Sequence, residues 1–174
     1  MSQPPNLPAP QTEAYEYWDD ICHYGGGWAE DMFDGYGSVK MTQSSARYEG
    51  EYKAFKMHGQ GKYTYNNGDT YEGAFENDKM HGHGRFTMHN GAVYEGEFQR
   101  DNLHGKGKLT YPNGGSYIGE FKGGMKDGHG IDVAPSGAKY EGEYQTDNQH
   151  GRGKLTYPSG DFYVGDFEDN EKNG

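Results

Sequence analysis

The stretch YEGEFQRDNLHGKGKLTYPNG, residues 94–114, is the clearest copy of a unit that recurs every 23 residues. A Tyr-x-Gly triplet opens the unit at Tyr48, Tyr71, Tyr94, Tyr117, Tyr140 and Tyr163, and Tyr24 stands one step earlier with a single residue inserted. The column ten residues later holds His58, His81, His104, Asp127 and His150, each followed by Gly-x-Gly, and a last glycine closes the units at Gly68, Gly91, Gly114, Gly137 and Gly160. Self-similarity at a fixed period indicates a repeat array, which is stabilised by contacts between neighbouring units.

Each unit has the pattern of a β-hairpin. In residues 94–98 and again in 105–111, apolar residues and glycines alternate with polar residues, which is the period of a strand. The segments QRDNLH and PNG after these runs are typical of turns. We therefore predict an all-β fold, an elongated single-layer twisted antiparallel β-meander built from about six and a half 23-residue hairpin repeats. About 13 strands spaced at ~4.8 Å would give a ribbon of roughly 60 Å.

The combination of YEGEF, HGKGK and YPNG at a 23-residue step resembles the MORN repeat (membrane occupation and recognition nexus). The resemblance covers residues 24–174, with repeats starting at 24, 48, 71, 94, 117, 140 and 163, the first degenerate and the last truncated. It implies an elongated, twisted, single-layer sheet. It also implies a location in cytoskeletal structures such as ciliary axonemes. Within the family, we expect a protein of the radial-spoke-head-like kind.

Composition excludes several classes of function. The net charge of −11 opposes sequence-independent binding to nucleic acid and general anchoring to anionic membranes. Cys22 is the single cysteine, so the chain forms no internal disulfide and suits a reducing compartment. No apolar run approaches the ~20 residues of a membrane span, and the first residues lack the pattern of a signal peptide. We expect an intracellular, cytoplasmic protein, associated with the cytoskeleton or with a cilium or axoneme.

Residues 1–23 form a separate N-terminal arm in this interpretation. Prolines dominate residues 1–10, and Tyr15, Tyr17 and Trp18 then stand among acidic residues. Two readings stay open. The segment folds back over the first hairpin as an end cap, or it is an acidic, aromatic arm that docks on another protein.

Large rings recur in two columns on one face of the predicted strands. A ring can lie over the bare backbone of a glycine on a neighbouring strand, which buries aromatic area without a second layer. These rings are either simply the core or the lining of a groove that holds a helix or extended segment of a partner. The two columns are Tyr48, Tyr71, Tyr94, Tyr117 and Tyr140, and Tyr52, Phe75, Phe98, Phe121 and Tyr144.

The opposite face is predicted to be charged, with one exception. Glutamates of first strands lie beside lysines and arginines of second strands, as in a solvated face. In the unit that starts at Tyr117, Ile118, Ile131 and Val133 occupy the charged positions, while Asp132 takes the inward place of Leu109. Either the strand slips and returns Ile131 and Val133 to the inner face, or the three aliphatic residues form an outer-face patch for a partner.

The sequence offers no basis for a cofactor, a metal site or catalysis. Histidines of successive units would lie about 9.6 Å apart, whereas zinc–nitrogen bonds are about 2.0–2.1 Å long. We expect the histidines to act in turns and backbone hydrogen bonds, with pairs such as His81 and His83 giving at most weak two-ligand sites. The chain carries no nucleophile elbow or phosphate-binding loop, and its Gly-x-Gly elements recur in every unit as architecture.

These observations favour a non-enzymatic structural scaffold or adaptor that binds proteins along the aromatic–glycine groove and the outer face, within a cytoskeletal or axonemal assembly. The alternatives are a module that tethers phosphoinositides or a membrane surface, which the acidic balance disfavours, and a structural subunit of a large organellar complex. The unit from Tyr163 stops early, so its C-terminal strand edge could pair with a second copy of the chain.

Overall fold

In a computed structural model that describes residues 15–18, 22–29, 32–41 and 44–173, the chain forms one antiparallel sheet of fifteen strands in sequence order. The meander is therefore confirmed, with more strands than the 13 expected. The strands are β1 (Tyr15–Trp18), β2 (Cys22–Ala29), β3 (Met32–Met41), β4 (Arg47–Lys53), β5 (Lys56–Thr64), β6 (Thr70–Glu76), β7 (Lys79–Thr87), β8 (Val93–Gln99), β9 (Asn102–Thr110), β10 (Ser116–Lys122), β11 (Met125–Val133), β12 (Lys139–Gln145), β13 (Asn148–Thr156), β14 (Phe162–Glu168) and β15 (Glu171–Asn173).

Two kinds of turn alternate along the meander. The turn within a repeat is a two-residue turn whose central residues both have positive φ, as at Arg100 (49°) and Asp101 (71°). The turn between repeats is closed by the last glycine of the unit: Gly114 has φ 88° and donates its N–H to the carbonyl of Tyr111 at 3.0 Å. This two-residue turn is shorter than the six-residue turn QRDNLH that the sequence suggests, because β8 extends to Gln99 and β9 begins at Asn102.

Side chains also tie several of these turns to the preceding repeat. Asp101 accepts the N–H of Met80 on Oδ1 at 2.9 Å, and its own N–H donates to the Met80 carbonyl at 3.1 Å. Asp78 and Asp147 repeat this contact with Met57 and Lys126. Neighbouring hairpins are thus joined at the turn as well as along their strands.

The His-Gly-x-Gly element is explained by a bulge in each hairpin. Between β8 and β9, Gly96 pairs with Gly107 but Glu97 pairs with His104, which leaves Lys106 and Gly105 (φ 54°) in the bulge. The Glu97 carboxylate accepts the N–H of Lys106 on Oε1 at 3.0 Å and occupies the space where a side chain on Gly105 would lie. Glycine is required there by both its backbone conformation and this close approach.

The core is a ladder of rings on one face of the sheet, here called the ring face. Tyr94 packs edge to face on Phe98 of its own repeat (5.1 Å between centroids, 90°) and on Phe121 of the next (5.0 Å, 86°). The same alternation runs from Tyr48 to Phe167. Edge-to-face pairs add about 0.5–1.5 kcal/mol each beyond the burial of their area. Aromatic contacts within and between repeats therefore replace the second layer of an ordinary β-protein.

The structure places the ten predicted groove residues in this core and not along an open groove. Tyr71, Tyr94 and Tyr117 have no solvent exposure, and Tyr48, Tyr52, Phe75, Phe98, Phe121, Tyr140 and Tyr144 are 2–6% exposed. Their burial follows from contacts with rings of both neighbouring repeats and from partly buried side chains such as Leu103 and Leu109 packed against them. A partner contact through these rings stays a prediction.

Candidate functional site

The face opposite the rings, here called the charged face, carries one row of side chains across the strands. Register pairs each member with the next: Glu49, Lys62, Glu72, Arg85, Glu95, Lys108, Ile118, Ile131, Glu141, Lys154 and Val164. We call this the charge row, because acids and bases alternate over its first six positions. Arg85 and Glu95 form an ion pair at 2.7 Å, and Lys62 and Glu72 approach to 3.8 Å. At exposed positions such pairs contribute only about 0–1 kcal/mol each.

Ile118 and Ile131 interrupt the charge row. They face each other across β10 and β11, and the Ile118 side chain is 51% exposed. Gly119 pairs with Gly130 as Gly96 pairs with Gly107 in the preceding repeat, so the register is unchanged. The alternative of a slipped strand is therefore wrong, and the aliphatic pair lies on the charged face.

The ring face of the same repeat has polar side chains where other repeats have apolar ones. Asp132 stands between Tyr117 and Tyr140, where other repeats place Leu109 or Leu155. Lys126 reaches it, with 2.6 Å between Nζ and Oδ2, and the two side chains are only 13% and 26% exposed. The Lys126 ammonium also lies 4.6 Å from the ring centroid of Tyr117. This repeat has exchanged polarity between its two faces without changing its backbone.

A groove of about 1050 Å³ opens on the charged face. Ile118 and Ile131 lie in its lining with Lys106, Lys108 and Glu141, and it runs from Gln60 of β5 to β12. Glycine backbone, as at Gly96, Gly107 and Gly119, forms part of its surface. The groove is thus an open channel whose lining combines charged side chains with one aliphatic pair.

Three further apolar side chains share the charged face. Val133 lies in a neighbouring row between Ser116 and Lys139, and is partly buried. Phe162 and Val164 of β14 are 64% and 62% exposed, and the Lys154 ammonium lies 4.9 Å from the Phe162 ring centroid. Sequence reasoning missed Phe162 and Val164, although Val164 occupies the column of Glu95 and a comparison of columns would have found it.

The predicted N-terminal arm lies partly outside the described residues. Tyr15, Tyr17 and Trp18 belong to β1, which pairs with β2 through Tyr17 and Tyr24, so the sheet extends into the segment assigned to the arm. Whether that segment docks on a partner stays a prediction. At the other end, Glu171–Asn173 pair with residues 166–168 of β14, which covers part of the edge predicted for self-association.

The histidine column contributes backbone contacts. The Tyr94 hydroxyl donates to the Glu97 carbonyl at 2.9 Å and reaches the His104 carbonyl at 3.3 Å. Burial of this hydroxyl raises the pKa of Tyr94 to about 12. Among the described residues, no three His, Cys, Asp or Glu side chains converge closely enough to hold a metal ion. Nor does that part of the chain contain a helix long and apolar enough to cross a membrane.

A family model described as MORN repeat matches residues 24–39, 48–70, 71–93, 94–116, 117–137 and 140–162. No curated protein matches the chain.

Solved structures that match the chain include two domains, each in complex with a segment of another protein. One is the TCP domain of SAS-4 (dCPAP) of Drosophila melanogaster in complex with a proline-rich motif of Ana2 (dSTIL), at 15% identity and a TM-score of 0.48, covering 95% of this chain and 86% of that chain. The other is the TCP10 domain of Danio rerio CPAP in complex with a peptide of Danio rerio STIL, at 16% identity and a TM-score of 0.20, covering 76% and 80%.

Proposed function

The chain belongs to the MORN-repeat family, and from this premise we propose that it is a non-enzymatic scaffold that binds another protein on its charged face. Contacts between successive repeats hold the sheet together, and the charged face is open along the meander. Such a sheet can present side chains on neighbouring strands at fixed spacings to a partner.

The observation that carries this proposal is the exposure of Ile118 within a row of charges. Ile118 is 51% exposed, and it pairs with Ile131 and not with a lysine or arginine. Placing the isoleucines on the charged face does not add apolar contacts to the core, because the ring face of this repeat has Asp132 and Lys126 in place of two leucines. Exposed aliphatic side chains in a groove are typical of protein-binding surfaces.

We propose further that the partner belongs to a cytoskeletal or axonemal assembly in the cytoplasm, which is supported by the family's general association with such structures. Phosphoinositide binding is disfavoured by the alternation of acids and bases, since headgroup binding requires several neighbouring cations. In a flotation assay, the purified chain should not bind vesicles that contain phosphoinositides.

The test replaces the aliphatic pair by the residues that other repeats carry. Ile118→Glu together with Ile131→Lys restores the acid–base alternation of the charge row, so we expect the variant to fold with wild-type circular dichroism. The tagged chain is purified under native conditions from its source cells, crosslinked through lysines and mapped. We expect one stoichiometric partner crosslinked at Lys108 and Lys139 of the wild type and lost from the variant.

The matched control exchanges an intact pair at the far end of the groove, by Lys62→Glu together with Glu72→Lys. This control should retain the partner. Retention of the partner by the Ile118 and Ile131 variant, or a wild-type chain that purifies with no partner, would contradict the proposed function.

A further inference from the structure

We propose that the partner presents an amphipathic α-helix that lies across β9, β10 and β11, with an acidic residue over Lys108 and apolar residues three and seven positions away over Ile118 and Ile131. The proposal rests on the protein-binding function above and specifies the segment that binds. It is argued from backbone hydrogen bonding, spacing and charge.

Backbone hydrogen bonding favours a helix over an extended segment. Every strand from β2 to β14 pairs with neighbours on both sides. An extended segment laid on the charged face would find few free backbone groups there, and its own N–H and C=O groups would lose water without compensation. A helix satisfies these groups internally and presents only side chains.

Spacing matches one face of a helix. Lys108, Ile118 and Ile131 occupy the same register on successive strands. Neighbouring strands are about 4.8 Å apart, so the three positions span about 9.6 Å. Residues i, i+3 and i+7 of an α-helix lie on one side and span about 10.5 Å at ~1.5 Å per residue. A helix perpendicular to the strands therefore contacts the three side chains with three of its own.

The charges around the aliphatic pair indicate where the acidic residue of the helix lies. Lys108 would meet an acid on β10 if the alternation continued, and it meets Ile118 instead. On its other side, Glu95 is engaged by Arg85 at 2.7 Å. On the far side of the aliphatic pair, Glu141 is bound by Lys139 at 2.8 Å. Within the described part of the sheet Lys108 makes no ion pair, so the cation beside the aliphatic pair is available to a carboxylate of a partner.

Other occupants fit less well. A second copy of the chain offers strands and no helix in the described residues. An anionic headgroup would meet Lys106 and Lys108 together with the carboxylates of Glu95, Glu97 and Glu120 around them. The position of Lys108 next to an aliphatic pair favours a helix with one acid and two apolar residues.

The test uses synthetic peptides and the full chain. Two stapled helical peptides of about 18 residues carry leucines at i+3 and i+7, and either glutamate or lysine at i. A third peptide has the composition of the glutamate peptide with two central prolines. Fluorescence anisotropy gives each affinity for the wild type, for Lys108→Glu, for Lys62→Glu as matched control, and for the Ile118→Glu and Ile131→Lys double variant.

We expect the wild type to prefer the glutamate peptide by up to about fivefold, as for a partly exposed ion pair. Lys108→Glu should reverse this preference, Lys62→Glu should leave it unchanged, and the double variant should weaken both helices by about tenfold or more. An unchanged preference in Lys108→Glu, or equal binding of the proline peptide, would overturn the inference. If the native partner is still lost from the double variant in that case, protein binding stands and only the helix is wrong.

Discussion

A β-carbon on Gly107 would lie 2.5 Å from Cε2 and Cζ of Tyr94, the residue that opens the same repeat. The Tyr94 ring therefore occupies the space that a side chain on β9 would need. Its hydroxyl then reaches the carbonyl of Glu97 at 2.9 Å, so the ring is fixed at both ends. This contact between one ring and one glycine recurs in successive hairpins and positions the whole core.

Gly107→Ala should destabilise the protein, because the added methyl group must displace a ring that has no exposure to solvent. Overpacking of this kind costs about 1–3 kcal/mol. Urea unfolding followed by circular dichroism measures the loss in free energy of unfolding. In a Tyr94→Ala background the same substitution should cost much less, and an additive double-mutant cycle would show that the ring is not the cause.

Ala74→Glu should stabilise the repeat that starts at Tyr71. Glu51, Glu97 and Glu143 each accept a backbone N–H across the bulge, from Gln60, Lys106 and Arg152, and Ala74 stands in their column. A carboxylate there would accept the N–H of His83 and contribute about 0.5–1.5 kcal/mol. Thermal unfolding should show a higher Tm for Ala74→Glu than for Ala74→Leu. Equal Tm values would mean that the side chain stabilises the repeat by covering the glycine of the bulge, and not by accepting the hydrogen bond.

Lys126 and Asp132 should behave as a coupled pair. Lys126→Leu alone leaves the Asp132 carboxylate on the ring face without its cation, and Asp132→Leu alone leaves the Lys126 ammonium among rings. We expect each single change to lower the free energy of unfolding, and the double change, which recreates the Leu103 and Leu109 pattern, to recover or exceed wild-type stability. Urea denaturation of the four proteins tests this. Equal and additive losses would contradict the coupling.

Raising the pH should unfold the sheet through its core tyrosines. Burial raises the pKa of Tyr94 and Tyr140 from the ordinary value of 10.0 to about 12. An unfolded chain loses these protons near pH 10.0, so the stabilisation is fully present below that pH and is lost as the pH rises towards about 12. Phenolate absorbance and circular dichroism should therefore change together over this range. Complete ionisation near pH 10 with an intact sheet would contradict the assignment.

The 23-residue repeat predicts much of this fold. Alternation in residues 94–98 and 105–111 predicts the strands, and the columns place Ile118 and Ile131 on the charged face, where the structure has them. Alternation gives the face of a residue and not its depth. The burial of Tyr94 depends on Phe98 and Phe121 meeting it from two repeats, and the resulting groove on the opposite face could not be read from the columns.

The remaining differences have similar physical causes. The columns place Asp132 on the inner face but do not identify its partner. Lys126 stands where Leu103 stands in the preceding repeat, and it contacts Asp132 only because its side chain is long. Residues 15–18 lack the Tyr-x-Gly pattern, yet they pair with β2 as a strand, since a sheet edge can bind backbone of almost any sequence.

The order of strands also determines how the molecule bears load. Each strand pairs only with its sequence neighbours, and the strands from β1 to β15 succeed one another along the sheet. Tension applied between the first and last strands would therefore open one ladder after another at its end, as a zipper opens, instead of shearing many hydrogen bonds at once. Under stretching the protein should yield at low force in a series of short steps, each the length of one hairpin.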